Sequence, residues 1–311
     1  MSHSATRVGA IDLGSNTAML LVLEESGPGA DLRPLLEREL FPRLGDGLKG
    51  TQKLSEKAKS RTLRAVQSLA DEANTYGLHT LSLVGTSALR RGDPDGVFLR
   101  ELRTIVPSAR VIDGDTEARL SASGALAVTR VTGDFVCIDV GGGSTEVLLG
   151  HKGGAHPYAF STSFAVSLPL GSVELFDRFQ SADEPFLDAY GFARSLLLDT
   201  LNAPSTATAT AIAGAGSAAA VGAVALLRRQ ENWHEGARVS SLEVDDTVEL
   251  LASLSEDDRA RVHPWIAERA DVAPFGAIVL QAVMHHLQLS EVVVTTAGVR
   301  WGLALELLGH H

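Results

Sequence analysis

The sequence contains a single cysteine, Cys137, so no internal disulfide can form and cysteine-based metal motifs are excluded. That residue lies in the apolar run Phe135-Val136-Cys137-Ile138, which predicts a buried structural thiol rather than a reactive one. No apolar run reaches the roughly 18 residues that a membrane span needs. The opening MSHSATRVGAIDLG lacks a basic region, an apolar core and a small-residue cleavage site in order, so it does not read as a secretory signal, and a cytoplasmic location is expected. Histidines are not spaced as a metal set; His285 and His286 are neighbours that face different directions on a helix. Positive charge is in deficit: the formal net charge is −11, which argues against a broad nucleic-acid or anionic-membrane surface. An anionic substrate would therefore need a divalent cation and a local group of arginines to overcome the overall repulsion. The terminal Gly309-His310-His311 is assigned no function.

What is present is an ordinary globular composition over 311 residues, enough for one large or two ordinary domains. Strand and helix signals alternate from the start. Arg7–Asp12 and Thr17–Glu24 read as strands joined by the turn Leu13-Gly14-Ser15-Asn16. Ser55–Tyr76 reads as a helix capped by Ser55, with Ala58, Ala65, Val66, Leu69 and Ala73 on one face and Gly77 as its stop. Thr80–Val84 and Arg110–Ile112 read as strands, Asp95–Ile105 as a short helix, and a further helix begins near Asp115 and runs to about Thr129. The opening pattern then recurs: Asp134–Val140 and Thr145–Gly150 read as strands joined by Gly141-Gly142-Gly143-Ser144. Asp-Leu-Gly-Ser-Asn-Thr at 12–17 is thus echoed by Asp-Val-Gly-Gly-Gly-Ser-Thr at 139–145, which predicts two related halves, each opening with a strand–loop–strand hairpin. Helices are expected at 182–202, 217–230, 245–253, 274–289 and 299–308, with strands at 208–213 and 292–295. The Ala/Thr-rich stretch 203–225 reads as strand, glycine turn and helix because apolar residues dominate it.

Three consecutive glycines let the backbone turn sharply and approach a ligand, and their N–H groups can form an anion nest. Ser144 and Thr145 add hydroxyl donors. A plain hairpin turn would use glycines too; the Asp ending the preceding strand and the echo at Asp12 favour phosphate. The loop holds no lysine and leads into a strand, which excludes a Walker loop and a dinucleotide fold. Alternation puts Ser144, Glu146 and Leu148 on one face of the second strand, so Glu146 can reach a metal or a water. Asp12 and Asp139 each end an apolar strand, where each either meets a cation or loop donors or merely forms the turn. Such hard oxygen ligands suit Mg²⁺. Glu117, in Gly114-Asp115-Thr116-Glu117-Ala118-Arg119 at a helix start, is favoured as an ionised carboxylate by the helix dipole. Position alone makes it an ordinary first-turn glutamate. Arg43, Arg90, Arg91, Arg269 and Arg300 read, from position alone, as solvated surface charges.

Eight segments in order resemble the exopolyphosphatase / guanosine pentaphosphate phosphohydrolase family of the actin/Hsp70/sugar-kinase superfamily. They are AIDLGSNT at 10–17, RLGDGL at 43–48, GTSALRRG at 85–92, VIDGDTEARL at 111–120, CIDVGGGSTEVLLG at 137–150, SLPLGSVEL at 167–175, RADVAPFGAIVL at 269–280 and AGVRWGLALELL at 297–308. The resemblance implies an α/β fold of two ribonuclease-H-like domains, residues 1–128 and 129–311, with mixed sheets flanked by helices, the site in the cleft between them and the final helix packed back towards the first. It implies that Glu117 is the catalytic base, that Asp139 and Glu146 are catalytic and metal-linked acids, and that Mg²⁺ or another divalent cation is required. Ser15, Asn16, Gly142, Gly143 and Ser144 match phosphate-loop positions and Arg90 an arginine near the phosphates. Asp12, Gly141, Arg43, Gly214, Gly216 and Arg269 complete the candidate phosphate ligands. A homodimer is implied at the same level. Departures are Glu174 where the family usually has Arg, Trp301 where it usually has Glu, and Gly214-Ala215-Gly216-Ser217 in place of a Gly-Thr-rich turn. Longer relatives carry further C-terminal domains, so a shorter binding channel and a preference for short chains are expected.

The implied activity is hydrolysis of the terminal phosphoanhydride of inorganic polyphosphate, with Glu117 activating water and positioning and charge stabilisation supplying most of the catalysis. The rivals are the same chemistry on guanosine pentaphosphate, a sugar or carboxylate kinase of the same fold, and a polyphosphate or nucleotide sensor without turnover.

Overall fold

The computed structural model describes residues 5–27, 31–48, 52–153, 158–206 and 208–310. The opening MSHS, position 207 in the Ala/Thr-rich stretch and His311 lie outside the described residues. The chain divides into two compact units, Met1–Gly124 with Val299–His311, and Ala125–Gly298. The C-terminal helix thus belongs to the first unit.

The first unit begins with an antiparallel meander. Strand β1 (Thr6–Leu13) pairs with β2 (Ala18–Glu25), which pairs with β3 (Leu32–Leu40). On its other side β1 pairs in parallel with β4 (Thr80–Gly85), and β4 with β5 (Arg110–Val111), giving the order β3-β2-β1-β4-β5. Central strands are covered on both faces, which explains their nearly unbroken apolar runs. One face carries Ile11, Leu13, Leu20, Val22 and Leu83 into a core with Ala58, Val66, Leu69 and Ala73 of α1 (Glu56–Asn74). Each such Leu or Val contributes about 1.5–3 kcal/mol on full burial. Ser55 caps α1, its Oγ accepting from the Ala58 N–H at 3.2 Å. Three helices follow: α2 (Ser87–Gly92), α3 (Val97–Ile105) and α4 (Gly114–Thr129). The closing helix of the chain, α12 (Val299–Leu307), lies against β1 and β2.

The second unit repeats the plan. β6 (Gly133–Val140), β7 (Thr145–Lys152) and β8 (Ser161–Leu168) form the meander, followed by α5 (Ser172–Phe179) and α6 (Pro185–Thr200). Then come β9 (Thr210–Gly214), α7 (Ala215–Arg228), β10 (Ala237–Ser240), α8 (Ser241–Ser253), α9 (Glu256–Val262), α10 (Pro264–Ala267), α11 (Ala273–His286) and β11 (Glu291–Val294). The order is β10-β11-β9-β6-β7-β8, with β9 parallel to β6, β11 parallel to β9, and β10 an added antiparallel edge. Helix α11 is apolar almost all round and is buried accordingly, from Ala273 to Met284 except Gln281. His285 and His286 do part company on it: His285 meets Tyr190 and Asp245, while His286 Nε2 meets the Leu201 carbonyl at 2.8 Å.

The echoed hairpins therefore head two ribonuclease-H-like units with mixed sheets flanked by helices. Strands β3, β8 and β10 escape the sequence reading, as do helices α2, α5, α9 and α10. β3 contains Pro34, which reads as a strand breaker, yet edge strands tolerate proline, and the register shift between Val22 and Leu23 falls beside it. β8 is an edge strand rich in serine and carries a similar shift opposite Leu149 and Gly150. No described helix is long and apolar enough to cross a membrane.

Candidate active site

In the second unit the turn Gly141–Ser144 joins β6 to β7 and closes on itself, the Gly141 N–H donating to Ser144 O at 3.0 Å. Its carbonyls are occupied from outside. The N–H of Ser172 donates to Gly141 O at 3.0 Å, and those of Val173 and Glu174 donate to Gly142 O at 2.8 and 3.1 Å. These are N–H groups of the first turn of α5, which have no partner inside their own helix. The same bonds that satisfy the helix end thus hold the loop. The N–H groups of Gly142 and Gly143 have no backbone partner among the described residues, which suits an anion nest. Gly171 makes the docking possible, because a side chain there would strike Gly142 O and come within 2.7 Å of Gly143 N. Thr145 adds a clasp, its Oγ1 donating to Leu170 O at 2.5 Å.

The strands beside the loop align four residues in one row. Asp139 of β6 is the cross-strand partner of Glu146 of β7, Glu146 is the partner of Ser167 of β8, and Asp139 is the parallel partner of Gly214 of β9. Partners in a ladder share a face. Two carboxylates are therefore neighbours, with Asp139 6% and Glu146 2% exposed. Like charges buried side by side are costly without a cation or a proton between them. Ser167 Oγ donates to Glu146 Oε1 at 2.6 Å, tying that carboxylate to β8. This donor set fits Mg²⁺, which is bound through one or two carboxylates with waters and substrate phosphates. Among the described residues no group of three His, Cys, Asp or Glu is gathered for a metal. Cys137, two residues before Asp139, is buried; burial pushes its thiol up, and the Asp139 charge adds to this.

Gly214 leads into the turn at the start of α7. Ala215 there has a left-handed backbone, φ 63°, which costs a non-glycine residue about 1 kcal/mol or more. Gly216 faces Arg269, whose Nη1 occupies the space a side chain would need. Arg269 is buried, contrary to the surface position expected for it.

In the first unit the turn Leu13–Thr17 matches that geometry. The Gly14 N–H donates to Thr17 O at 2.9 Å, as Gly141 does to Ser144. The segment after β3 braces it: the Arg43 N–H donates to Asn16 O at 3.0 Å and the Gly45 N–H to Ser15 O at 2.8 Å. Arg43 is half-buried with a left-handed φ of 51°, a second strained non-glycine position beside a loop. Ser15 and Asn16 are buried, and Ser15 Oγ has no hydrogen-bond partner among the described residues. Asp12 is buried on β1 opposite Met19.

Glu117 lies in the first turn of α4 and is buried. Asp113 caps that helix, its Oδ1 accepting from the Thr116 N–H at 2.8 Å, and the hydrogen bonds from Thr116 hold its carboxyl below the usual range. Arg90, at the end of α2, donates through Nη1 to Glu117 Oε2 at 2.5 Å and to Ile112 O at 2.9 Å. A guanidinium at this distance favours the ionised form of a carboxylate. Arg91 is exposed, as its position suggested.

Arg43, Arg90, Glu117, Ser15 and Asn16 thus belong to the first unit, while Asp139, Glu146, Gly141–Ser144, Gly214, Gly216 and Arg269 belong to the second. Sequence reading missed Ser167 and Gly171. A signal was available: Leu44-Gly45 and Leu170-Gly171 repeat at the same place after each meander, extending the Asp12/Asp139 echo.

Comparison with known proteins gives the family and the fold. The model of the Ppx/GppA phosphatase family matches residues 22–311. The chain is 28% identical to exopolyphosphatase 2 of Mycobacterium tuberculosis, over 98% of this chain and 99% of that one. Among solved structures, an exopolyphosphatase from Cytophaga hutchinsonii superposes with a TM-score of 0.84 at 21% identity, covering 98% of this chain and 99% of that one. A Ppx/GppA family member from Aquifex aeolicus gives 0.77 at 22% identity, covering 99% of each chain. With the family model spanning nearly the whole chain, this protein belongs to the Ppx/GppA phosphatase family, as a phosphoanhydride hydrolase.

Proposed function

We propose that the chain is an exopolyphosphatase that removes the terminal phosphate of inorganic polyphosphate as orthophosphate. The observation that carries the reading is the pair of buried, cross-strand carboxylates Asp139 and Glu146 beside a loop whose carbonyls are tied back. The similarity to an exopolyphosphatase along the whole chain supports it.

In this reading the N–H groups of Gly142 and Gly143 with the hydroxyl of Ser144, and those of Ser15 and Asn16 in the companion turn, hold phosphate oxygens. Arg269, Arg43 and Arg90 supply positive charge that the −11 chain lacks overall. Asp139 and Glu146 would hold a divalent cation, which supplies charge neutralisation at the phosphates when bound. Ser167 keeps Glu146 oriented for it. Glu117 is the general base: it takes a proton from the attacking water as the new P–O bond forms, and the bridging P–O bond breaks to release the chain shortened by one phosphate. The Arg90 contact holds the Glu117 carboxylate in place, and a phosphate oxygen arriving at Arg90 would share that guanidinium.

The test is phosphate release with Mg²⁺ from tripolyphosphate, long polyphosphate, guanosine pentaphosphate and ATP, each offered alone. Release from either polyphosphate well above the two nucleotides is the expected result. Preference for guanosine pentaphosphate would transfer the same machinery to that substrate, and binding without release would make the chain a sensor.

A further inference from the structure

Arg300 is the second residue of α12 and is 7% exposed. Its position in the sequence suggests a surface charge, and the structure buries it. A guanidinium has five N–H donors and no acceptor, so burial demands partners. Arg300 has few. Nη2 donates to Glu37 Oε2 at 2.6 Å; Nη1 lies 3.2 Å from the thioether sulfur of Met19, a weak acceptor; Nε is buried without a hydrogen-bond partner among the described residues. The first turn of a helix is also the unfavourable end for a cation. Fold stability alone does not account for such a placement.

The surroundings do. Met19 is the cross-strand partner of Asp12, so the sulfur that Arg300 touches and the Asp12 carboxylate share one face of the sheet. The turn following Asp12 holds Ser15, 3% exposed, whose hydroxyl likewise has no partner among the described residues. In the second unit the position of Met19 is taken by Glu146, and the paired acids call for a divalent cation. In the first unit the row has an apolar thioether at that position and a guanidinium resident over it.

We propose that Arg300 is a phosphate-binding residue of the first unit, whose under-used donors take an oxygen of the oligophosphate substrate. A phosphate oxygen is a far stronger acceptor than a thioether, so exchange of Met19 for substrate at Nη1 is favourable. Glu37 stays as the brace that orients the fork, and the Ser15 hydroxyl is a second donor for the same chain. The proposal rests on the oligophosphate reading above. The structural alternative is that Arg300 merely clamps α12 to β3 through Glu37.

Calorimetric titration of tripolyphosphate into chelator-treated protein, with no divalent cation present, separates the two. Arg300→Met is expected to bind at least tenfold more weakly than wild type, with Arg300→Lys between them, because Lys keeps the charge but not the fork. Arg300→Met that remains folded and binds with wild-type affinity overturns the proposal; if the wild type binds too weakly without metal, the same comparison made with Ca²⁺ present is read by the same criterion. Should Arg300→Met fail to fold, Glu37→Gln decides: the amide oxygen keeps an acceptor for the brace while the negative charge that opposes a polyanion is removed, so binding is expected to tighten several-fold, and unchanged or weaker binding overturns the proposal. Phosphate release by the wild type is read separately. Arg300-dependent binding without release would defeat the hydrolase reading and leave the binding residue standing.

Discussion

The two hairpins of this chain have the same backbone and different chemistry. In each, an Asp lies at the end of the first strand, a glycine N–H closes the turn three residues on, and backbone N–H groups in or beside a Leu-Gly pair after the third strand donate to the turn's carbonyls. The rows beneath them diverge. β3, β2, β1 and β4 present Glu39, Met19, Asp12 and Val84; β8, β7, β6 and β9 present Ser167, Glu146, Asp139 and Gly214. One repeat has paired acids with a serine to orient them. The other has a methionine between its two acids, Asp12 and Glu39, with Arg300 against that methionine. In the proposed reading, the paired acids of the second unit are a cation end and Arg300 makes the first unit a guanidinium end.

Four substitutions probe that contrast, from the largest effect to the smallest. Glu117→Gln removes the proposed base but none of the clamp; phosphate release should fall by about 10²–10⁴-fold, with thermal stability close to wild type, and retention of a tenth of the activity would end the assignment. The two glycine braces come next. Gly171→Ala drives a methyl into Gly142, so it should cost about 1–3 kcal/mol in denaturant titration and most of the activity. Gly45→Ala meets Ser15 at a more forgiving 3.2 Å and should cost clearly less on both counts. Equal effects would mean that the turns are not held differently. Ser167→Ala removes one hydrogen bond to a charged group, a loss of about 1.5–3 kcal/mol, so the Mg²⁺ concentration for half-maximal rate should rise by about tenfold or more while the protein stays folded.

The smallest effect lies away from the loops. Arg229, donating twice to Glu243 at 2.5 Å, with Ser240 in a capping box, holds the Glu243 carboxyl at about 2, against the ordinary 4.5. A depressed carboxyl stabilises fully above its unfolded value and loses that contribution as pH falls through its folded one. The melting-temperature gap between wild type and Glu243→Gln should therefore be constant above pH 4.5 and close as pH falls towards 2. A gap that widened on acidification would contradict this. The stability losses in Gly45→Ala and Gly171→Ala should show no such closing, because neither exchange removes a titratable group.

Much of the site was legible because it lies on a repeat. Asp12 and Asp139, the glycines after them and the period-two placing of Glu146 are local features, and local features are what a sequence displays. The third strand of each meander was not legible. β3 has Pro34 and four charged positions alternating poorly with its leucines, and β8 is mostly serine, threonine and alanine; both are edges, whose pairing on one side relaxes the demand for an apolar alternation. Ser167 went unseen with β8, since its role depends on the register that sets it opposite Glu146. Arg269 and Arg300 looked like solvated charges because burial of a cation is decided by partners far away in sequence, here Gly216 for one and Met19 and Glu37 for the other. Glu117 was an ordinary first-turn glutamate from position alone; the Arg90 contact, across 27 residues, sets it apart.

If the two rows differ in what they bind, divalent-ion binding reads that difference most directly. Mn²⁺ as a paramagnetic stand-in for Mg²⁺, titrated into wild type, Glu146→Gln and Asp12→Asn in the presence of orthophosphate, should bind to the wild type, be lost or weakened at least tenfold in Glu146→Gln, and persist in Asp12→Asn. Loss of the ion in Asp12→Asn with retention in Glu146→Gln would reverse the assignment of the cation end and contradict the account.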